Sequence, residues 1–412
     1  MSVPVAGAEP RRAALLFIFV TVVLDMLALG MIIPVLPGLI EDFLEGDTAR
    51  AAKVFGFFGS VWALMQFVSM PIMGGLSDRF GRRPVILLSN IGLGLDYILM
   101  ALAPNLRWLF VGRVISGICA ASISTAMAYI ADVTPVEKRS RSYGLIGMAF
   151  GLGFVIGPAL GGVLGSVDPR LPFWAAAGFS LANAAYGYFV LPESLSRERR
   201  RPFDWRRANP VGSLKFLRAH AELAGLAGAA FLSNLAHAVL PAVFVLYAGY
   251  RFGWDARSVG LALAATGASS MVVQGTLVGP FVHRFGERRV LLAGLLSGAL
   301  GFVIYALAPT GTIFLMGIPV VALWGLAGPS AQGLMTRYVG PSAQGELQGA
   351  MGSLLGIATM IGPSMFAGAF AYAIGNGAGW HFPGAAYALA ALLLAASATL
   401  AAYTTRHRPV AT

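Results

Sequence analysis

From residue 290 to residue 336, between Arg289 and Arg337, the chain carries no charged side chain. That run is about twice the roughly 20 apolar residues a helix needs to cross a bilayer core of about 30 Å. Similar runs recur along all 412 residues. Hydrophobic residues make up 57% of the chain and charged ones only 11%, against about 25% charged in a soluble domain. A soluble chain of this composition would expose too much apolar surface to stay dissolved. An ordinary soluble enzyme, a disordered tail and a disulfide scaffold are therefore excluded. The single cysteine, Cys119, also excludes an intramolecular disulfide and any multi-cysteine metal site.

Measured against a 20-residue span, the sequence predicts twelve spans, at roughly 13–40, 54–77, 84–104, 107–131, 142–165, 172–192, 222–249, 258–282, 290–308, 312–336, 347–374 and 383–403. They are too long for strands and lack the alternation of a lipid-facing barrel. Helices satisfy their own backbone hydrogen bonds, as lipid requires. The expected fold is an all-α polytopic membrane protein. The first apolar stretch follows Arg11 and Arg12 and runs on past Leu39 without a cleavage site, so it is expected to be a retained span.

Charge placement gives an orientation. With twelve spans, the side holding both termini carries 22 of the 29 Lys and Arg, the opposite loops carry six, and Arg113 lies inside a span. The positive-inside rule then places both termini in the cytoplasm. The net charge of +11 is thus mostly topological and implies no nucleic-acid partner. The expected division is a six-helix half at 1–192, a cytoplasmic linker at 193–221 and a second half at 222–412. That linker carries Arg197, Arg199, Arg200, Arg201, Arg206 and Arg207, and Pro202, Pro210 and Gly212 punctuate it.

The halves repeat at a constant offset of 205. Gly74 pairs with Gly279, Gly81 with Gly286, Arg83 with Arg288, Gly112 with Gly317 and Gly144 with Gly349. Ala103-Pro104 recurs as Ala308-Pro309, and Gly157-Pro158 as Gly362-Pro363. A tandem six-helix repeat is the architecture of a secondary transporter with its site near the midplane between the halves.

Three motifs carry more than topology. The loop after the second span reads Gly74-Gly75-Leu76-Ser77-Asp78-Arg79-Phe80-Gly81-Arg82-Arg83. The fourth span places Arg113, Gly117, Ala120, Ala121, Ser124 and Ala128 at spacings of three and four, on one small-residue face. The fifth carries Gly153, Gly157-Pro158 and Gly161-Gly162, where glycines allow close helix approach and the proline bends the helix. In these motifs the chain resembles the major facilitator superfamily. The second-half loop is the weaker copy, with His283 in place of Asp78 and Glu287 in place of Arg82.

Nearly the whole chain is similar to the tetracycline/proton antiporter branch of that superfamily. Asp25 before Gly30 and Pro34, Asp96-Tyr97, Asp132 with Pro135, Leu191-Pro192-Glu193-Ser194, Arg251-Phe252 with Trp254-Asp255, and Gln344-Gly345-Glu346-Leu347-Gln348-Gly349 carry the likeness. The resemblance implies proton-driven drug export across a bacterial inner membrane. It also implies that Asp78, Arg82 and Asp132 form a charge cluster that latches one conformation, with Gly157 and Pro158 in gating. Two positions depart from the branch: Gly298 stands at its third intramembrane aspartate and Ser270 at its histidine.

Few ionisable groups lie inside the spans, chiefly Asp25, Asp96, Arg113 and His237. Each is costly in lipid, by about 3 kcal/mol on insertion scales, so each needs a partner, a wet cavity or a task. They are the candidates for proton coupling. A carboxylate whose exposure alternates between two sides is a natural proton carrier. Asn234, His237, Gln274 and Gln332 are candidates for substrate contact, with Tyr97, Phe154 and Trp324 for stacking on a planar compound. The plainer reading of each is helix packing. Trp108 and Trp380 near span ends fit an interfacial belt.

No metallopeptidase helix motif, nucleophile elbow or Walker loop is present, so no catalytic residue, metal or ATP hydrolysis is expected. The leading expectation is a monomeric antiporter that needs only a proton gradient, a small-molecule substrate and the bilayer. The alternative is a proton symporter or facilitator for a small polar metabolite.

Overall fold

Lipid leaves the apolar runs one economical solution, and the computed structural model adopts it. It describes residues 8–120, 123–134, 139–203, 214–219, 221–339, 343–375 and 381–406. Every regular element among these is helical. Twelve long helices follow in order: α1 (Leu16–Asp42), α2 (Thr48–Phe80), α3 (Arg82–Ala101), α4 (Leu106–Val133), α5 (Arg139–Gly165), α6 (Leu171–Val190), α7 (Leu223–Phe252), α8 (Ala256–Phe285), α9 (Glu287–Leu307), α10 (Gly311–Thr336), α11 (Gln344–Ile374) and α12 (Ala385–Thr404). Eleven are long and apolar enough to cross a membrane among the described residues. The other, α6, has 20 residues, but Asn183, Tyr186 and Tyr188 dilute its apolar character. The chain is a polytopic membrane protein. Ala121, Pro135, Trp380 and the linker's Arg206, Arg207, Pro210 and Gly212 lie outside the described residues.

The chain forms two compact units. One is Met1–Leu36 with Val61–Asn209, the other Pro37–Ser60 with Pro210–Thr412. Within the first, α1 packs on α5 and α6, and α3 packs on α4 and α6. Within the second, α7 packs on α11 and α12, and α9 packs on α10 and α12. Adding six to each helix number converts the first pattern into the second.

The repeat at offset 205 has a physical counterpart in each unit. Gly81 (φ 108°) and Gly286 (φ 79°) both turn the chain between two helices with a positive φ that other residues rarely adopt. Arg83 then donates to the Tyr188 carbonyl at the end of α6. Its counterpart Arg288 donates to Thr405 Oγ1 (2.9 Å) at the end of α12. Gly157 lets α5 close on α1: a Cβ there would lie 2.8 Å from Gly30 Cα. Gly362 does the same for α11 and α7, where a Cβ would lie 2.2 Å from Ala238 Cβ.

The opening turns of α2 belong to the second unit, packed against α11. A Cβ on Gly56 would meet Ala367 Cβ at 2.5 Å, and Ser60 Oγ lies 2.8 Å from Ser364 Oγ.

Candidate functional site

Three groups of polar residues stand out against the apolar helices. The first surrounds the Gly81 turn. Arg82 begins α3 and is 8% exposed. Its guanidinium pairs with Asp78 (2.7 Å) and Asp132 (3.2 Å) and donates to Ser77 Oγ. Ser194 Oγ donates to Asp132 (3.0 Å). Glu193 accepts from the backbone N–H groups of Arg82 (2.9 Å) and Arg83 (3.3 Å). A carboxylate there satisfies donors that α3 leaves open and suits the positive end of its dipole. The residues grouped by resemblance, Asp78, Arg82 and Asp132, thus meet in one cluster, and Glu193 joins it.

The second unit carries a matching pair that the sequence reading missed. Glu287 begins α9 and accepts from Arg337 Nη2 at 3.0 Å. Glu287 is the offset counterpart of Arg82, and Arg337 that of Asp132. The second loop is therefore not merely a weaker copy: the ion pair persists with its polarity reversed. Applying the 205 offset to Asp132 would have found it.

The second group lies in the spans of the first unit. Asn183 on α6 donates to Asp25 Oδ1 (3.1 Å) and to the Thr21 carbonyl (3.2 Å), which ties α6 to α1. Asp96 is 1% exposed, and neither carboxylate oxygen has a hydrogen-bond partner among the described residues. Arg113 is 9% exposed, its Nε is likewise unpartnered, and its guanidinium lies 5.4 Å from the Trp62 ring centroid. A cation over an indole face gains electrostatic stabilisation. Tyr97 is buried and offers no open face, whereas Phe154 is exposed. Asn183 was not singled out from the sequence. A lone asparagine in an apolar run is its only signal.

The third group sits where helices of the second unit lose regularity. α7 breaks after His237, α8 holds a π-helical turn at Val273–Leu277, and α10 holds a 3-10 turn at Leu323–Leu326. Each break has a proline at hand. Pro241, Pro280 and Pro329 lack the N–H that would bond the carbonyls of His237, Thr276 and Gly325. Freed carbonyls of this kind are tolerated at membrane depth where they face protein or a wet cavity. Each proline is legible in the sequence, four residues after the carbonyl it leaves without a donor.

The breaks bring several candidates together. Trp324 Nε1 donates to Ser233 Oγ (3.1 Å), and the His237 ring lies 5.3 Å from the Trp324 ring. Gln274 lies in the π-helical turn of α8 and packs against Gly325, where a Cβ would sit 3.2 Å from its Cγ. Asn234 and Gln332 line one cavity of about 190 Å³ together with Gln348. Gly298 is wedged against Trp324 and Leu394: a Cβ would lie 2.8 Å from each. A side chain there would have to displace the Trp324 ring and Leu394.

Twelve helices in two six-helix sets, with ionisable and amide groups inside the spans, define a membrane transporter of the secondary type. The Major Facilitator Superfamily profile matches residues 18–363 and 226–412. The chain belongs to that superfamily, a family of transporters rather than enzymes. It is 38% identical to "Tetracycline resistance protein, class C" of Escherichia coli over 91% of this chain and 94% of that one. It is 35% identical to the class G protein of Vibrio anguillarum, over 90% and 93%. Identity to "Multidrug resistance protein 2" of Bacillus subtilis (strain 168) is 26%, over 86% and 88%. The fold is shared with the nucleoside transporter NupG (TM-score 0.78, 12% identity, 96% of this chain and 100% of that one).

Proposed function

We propose that this protein is a proton-coupled antiporter that exports a hydrophobic or amphiphilic organic compound of the tetracycline class by alternating access. It works in the bacterial inner membrane with both termini in the cytoplasm, as a monomer, with the proton gradient as its only energy source. The observation that carries this reading is Asp96, a carboxyl 1% exposed inside a span with both oxygens unpartnered among the described residues. A carboxyl in lipid without a hydrogen-bond donor, its charged neighbour being the Arg113 guanidinium, is suited to taking up and releasing a proton. The likeness to tetracycline resistance proteins over some nine-tenths of the chain supports the substrate class.

In this reading Asp25 and Asp96 carry the proton. Arg113 and His237 set its cost in each conformation. Protonation from outside shifts the inward–outward equilibrium and releases substrate. Asn234, His237, Gln274, Gln332 and the exposed face of Phe154 contact the compound. Asp78, Arg82 and Asp132 hold one conformation, and the α1–α5 contact at Gly157 and Pro158 moves with it.

The test is tetracycline-driven proton release from proteoliposomes. The wild-type protein is expected to release protons in exchange for substrate, and the double variant Asp25→Asn, Asp96→Asn to lose that exchange while still binding tetracycline. Unchanged coupling in the double variant would remove the carboxylates from the mechanism. Uptake driven by an inward proton gradient would defeat export itself.

A further inference from the structure

Among the described residues, no carboxylate is hydrogen-bonded to the buried cation of Arg113. It is 9% exposed, and its Nε has no hydrogen-bond partner. Asp96 and Tyr97 on α3 act on its charge, yet neither Asp96 oxygen accepts a hydrogen bond. What the guanidinium does have is the Trp62 ring on α2, with its centroid 5.4 Å away. We propose that Trp62 is a positioning residue for proton coupling: its indole face parks the Arg113 guanidinium and keeps the cation from closing on Asp96. The proposal rests on the antiport reading above and gives Trp62 a task in it.

Two glycines of α4 set Arg113 among these neighbours. A Cβ on Gly117, one turn after Arg113, would lie 2.6 Å from the Trp62 carbonyl oxygen and 2.8 Å from Met65 Cβ, so α4 meets α2 at the backbone. A Cβ on Gly112 would lie 2.9 Å from Asp96 Oδ1 on α3. The two neighbours differ in chemistry. A guanidinium keeps its proton at any working pH. Closed on a carboxylate, it would hold that group ionised and remove it as a proton carrier. An indole face attracts the cation more strongly than other aromatic rings do, but it offers no acceptor and does not titrate. The cation is thus held without being neutralised. The other titratable groups around the pair are Asp25 on α1, which acts on Tyr97, and Cys119 on α4, on which Asp96 acts. α2 brings no titratable residue from 54 to 77.

The experiment follows protonation of Asp96 in the purified full-length protein by infrared spectroscopy, through the carboxyl band that Asp96→Asn removes. The variants are Trp62→Leu, which removes the ring face, and Trp62→Phe, which keeps a weaker one. Thermal unfolding checks that each is folded. Released from the indole, Arg113 closes on Asp96 and holds it ionised to lower pH. The midpoint of the band should fall by about 0.5–1 pH unit in Trp62→Leu, the scale of one cation–π contact, and by a smaller step in Trp62→Phe. The pH profile of tetracycline-driven proton release from proteoliposomes should move with it.

A midpoint unchanged or raised in folded Trp62→Leu overturns the role of Trp62, as does an equal fall in both variants, which marks plain packing. If Trp62→Leu does not fold, Trp62→Phe decides: a lowered midpoint supports the role and an unchanged one overturns it. A shifted band in a protein without tetracycline-driven proton release overturns export and leaves the role of Trp62 standing. A wild-type protein with no Asp96-dependent band that titrates overturns both.

Discussion

Reversing the Glu287–Arg337 pair separates a true ion pair from chance proximity. The N···O distance is 3.0 Å, with the Arg337 side chain 51% exposed and that of Glu287 14% exposed. At that distance two unit charges attract by about 1.4 kcal/mol in bulk water and about 5.5 kcal/mol at an effective dielectric of 20. Half-exposure of the arginine keeps the pair near the water limit, and side-chain ordering lowers it further, to about 1 kcal/mol. Glu287→Arg or Arg337→Glu turns that attraction into a repulsion of similar size, so each single variant should lose about 2 kcal/mol. The exchange of both residues should recover most of it. The same exchange at Arg82 and Asp132 should not recover, because Arg82 also serves Asp78 and Ser77. The assay is thermal unfolding of the purified proteins in one detergent, wild type, singles and doubles together. A Glu287→Arg/Arg337→Glu protein as unstable as the two singles combined would refute the pairing. Equal recovery at both sites would refute the role given to Asp78.

Other outcomes follow from the packing. A Cβ on Gly161 would lie 2.0 Å from the Met31 carbonyl oxygen, so Gly161→Ala should cost about 1–3 kcal/mol. Gly178→Ala, with no atom within 4 Å, should unfold with the wild type, and equal behaviour of the two would discount the α1–α5 contact. Asn183→Leu leaves Asp25 without its donor and should slow proton exchange while tetracycline binding holds; a parallel fall in both would make Asn183 purely structural. Asp255 caps α8 by accepting from Ser258 N–H (2.9 Å), and hydrogen bonds from Ser258 hold its carboxyl below the usual carboxylate range. Asp255→Ala should cost about 1 kcal/mol at neutral pH. A depressed carboxyl contributes above its unfolded pKa of about 4 and stops contributing as pH falls through its folded value. The gap to wild type should therefore close in acid. A gap that persists at pH 2 would point to packing instead.

Residue order alone settles what the bilayer dictates locally. Span number and the tandem repeat follow from apolar length and a constant offset, because each helix in lipid must satisfy its own backbone. The Asp78, Arg82 and Asp132 cluster was legible by resemblance, and the opposing residues do meet. What faces what was decided only by tertiary structure. Glu287 looked like decay of a motif until α10 brought Arg337 beside it. Asn183 acquired a role only when α6 packed on α1. Tyr97 and Gly298 show how packing adds what the sequence omits: the tyrosine is buried, and the glycine lies against Trp324 and Leu394, which a side chain there would have to displace. Gln348 was one residue of a motif until three helices turned their amides towards the same space. Burial and partnership depend on which helical faces meet, and 3.6-residue periodicity within one uniformly apolar helix does not record its neighbour.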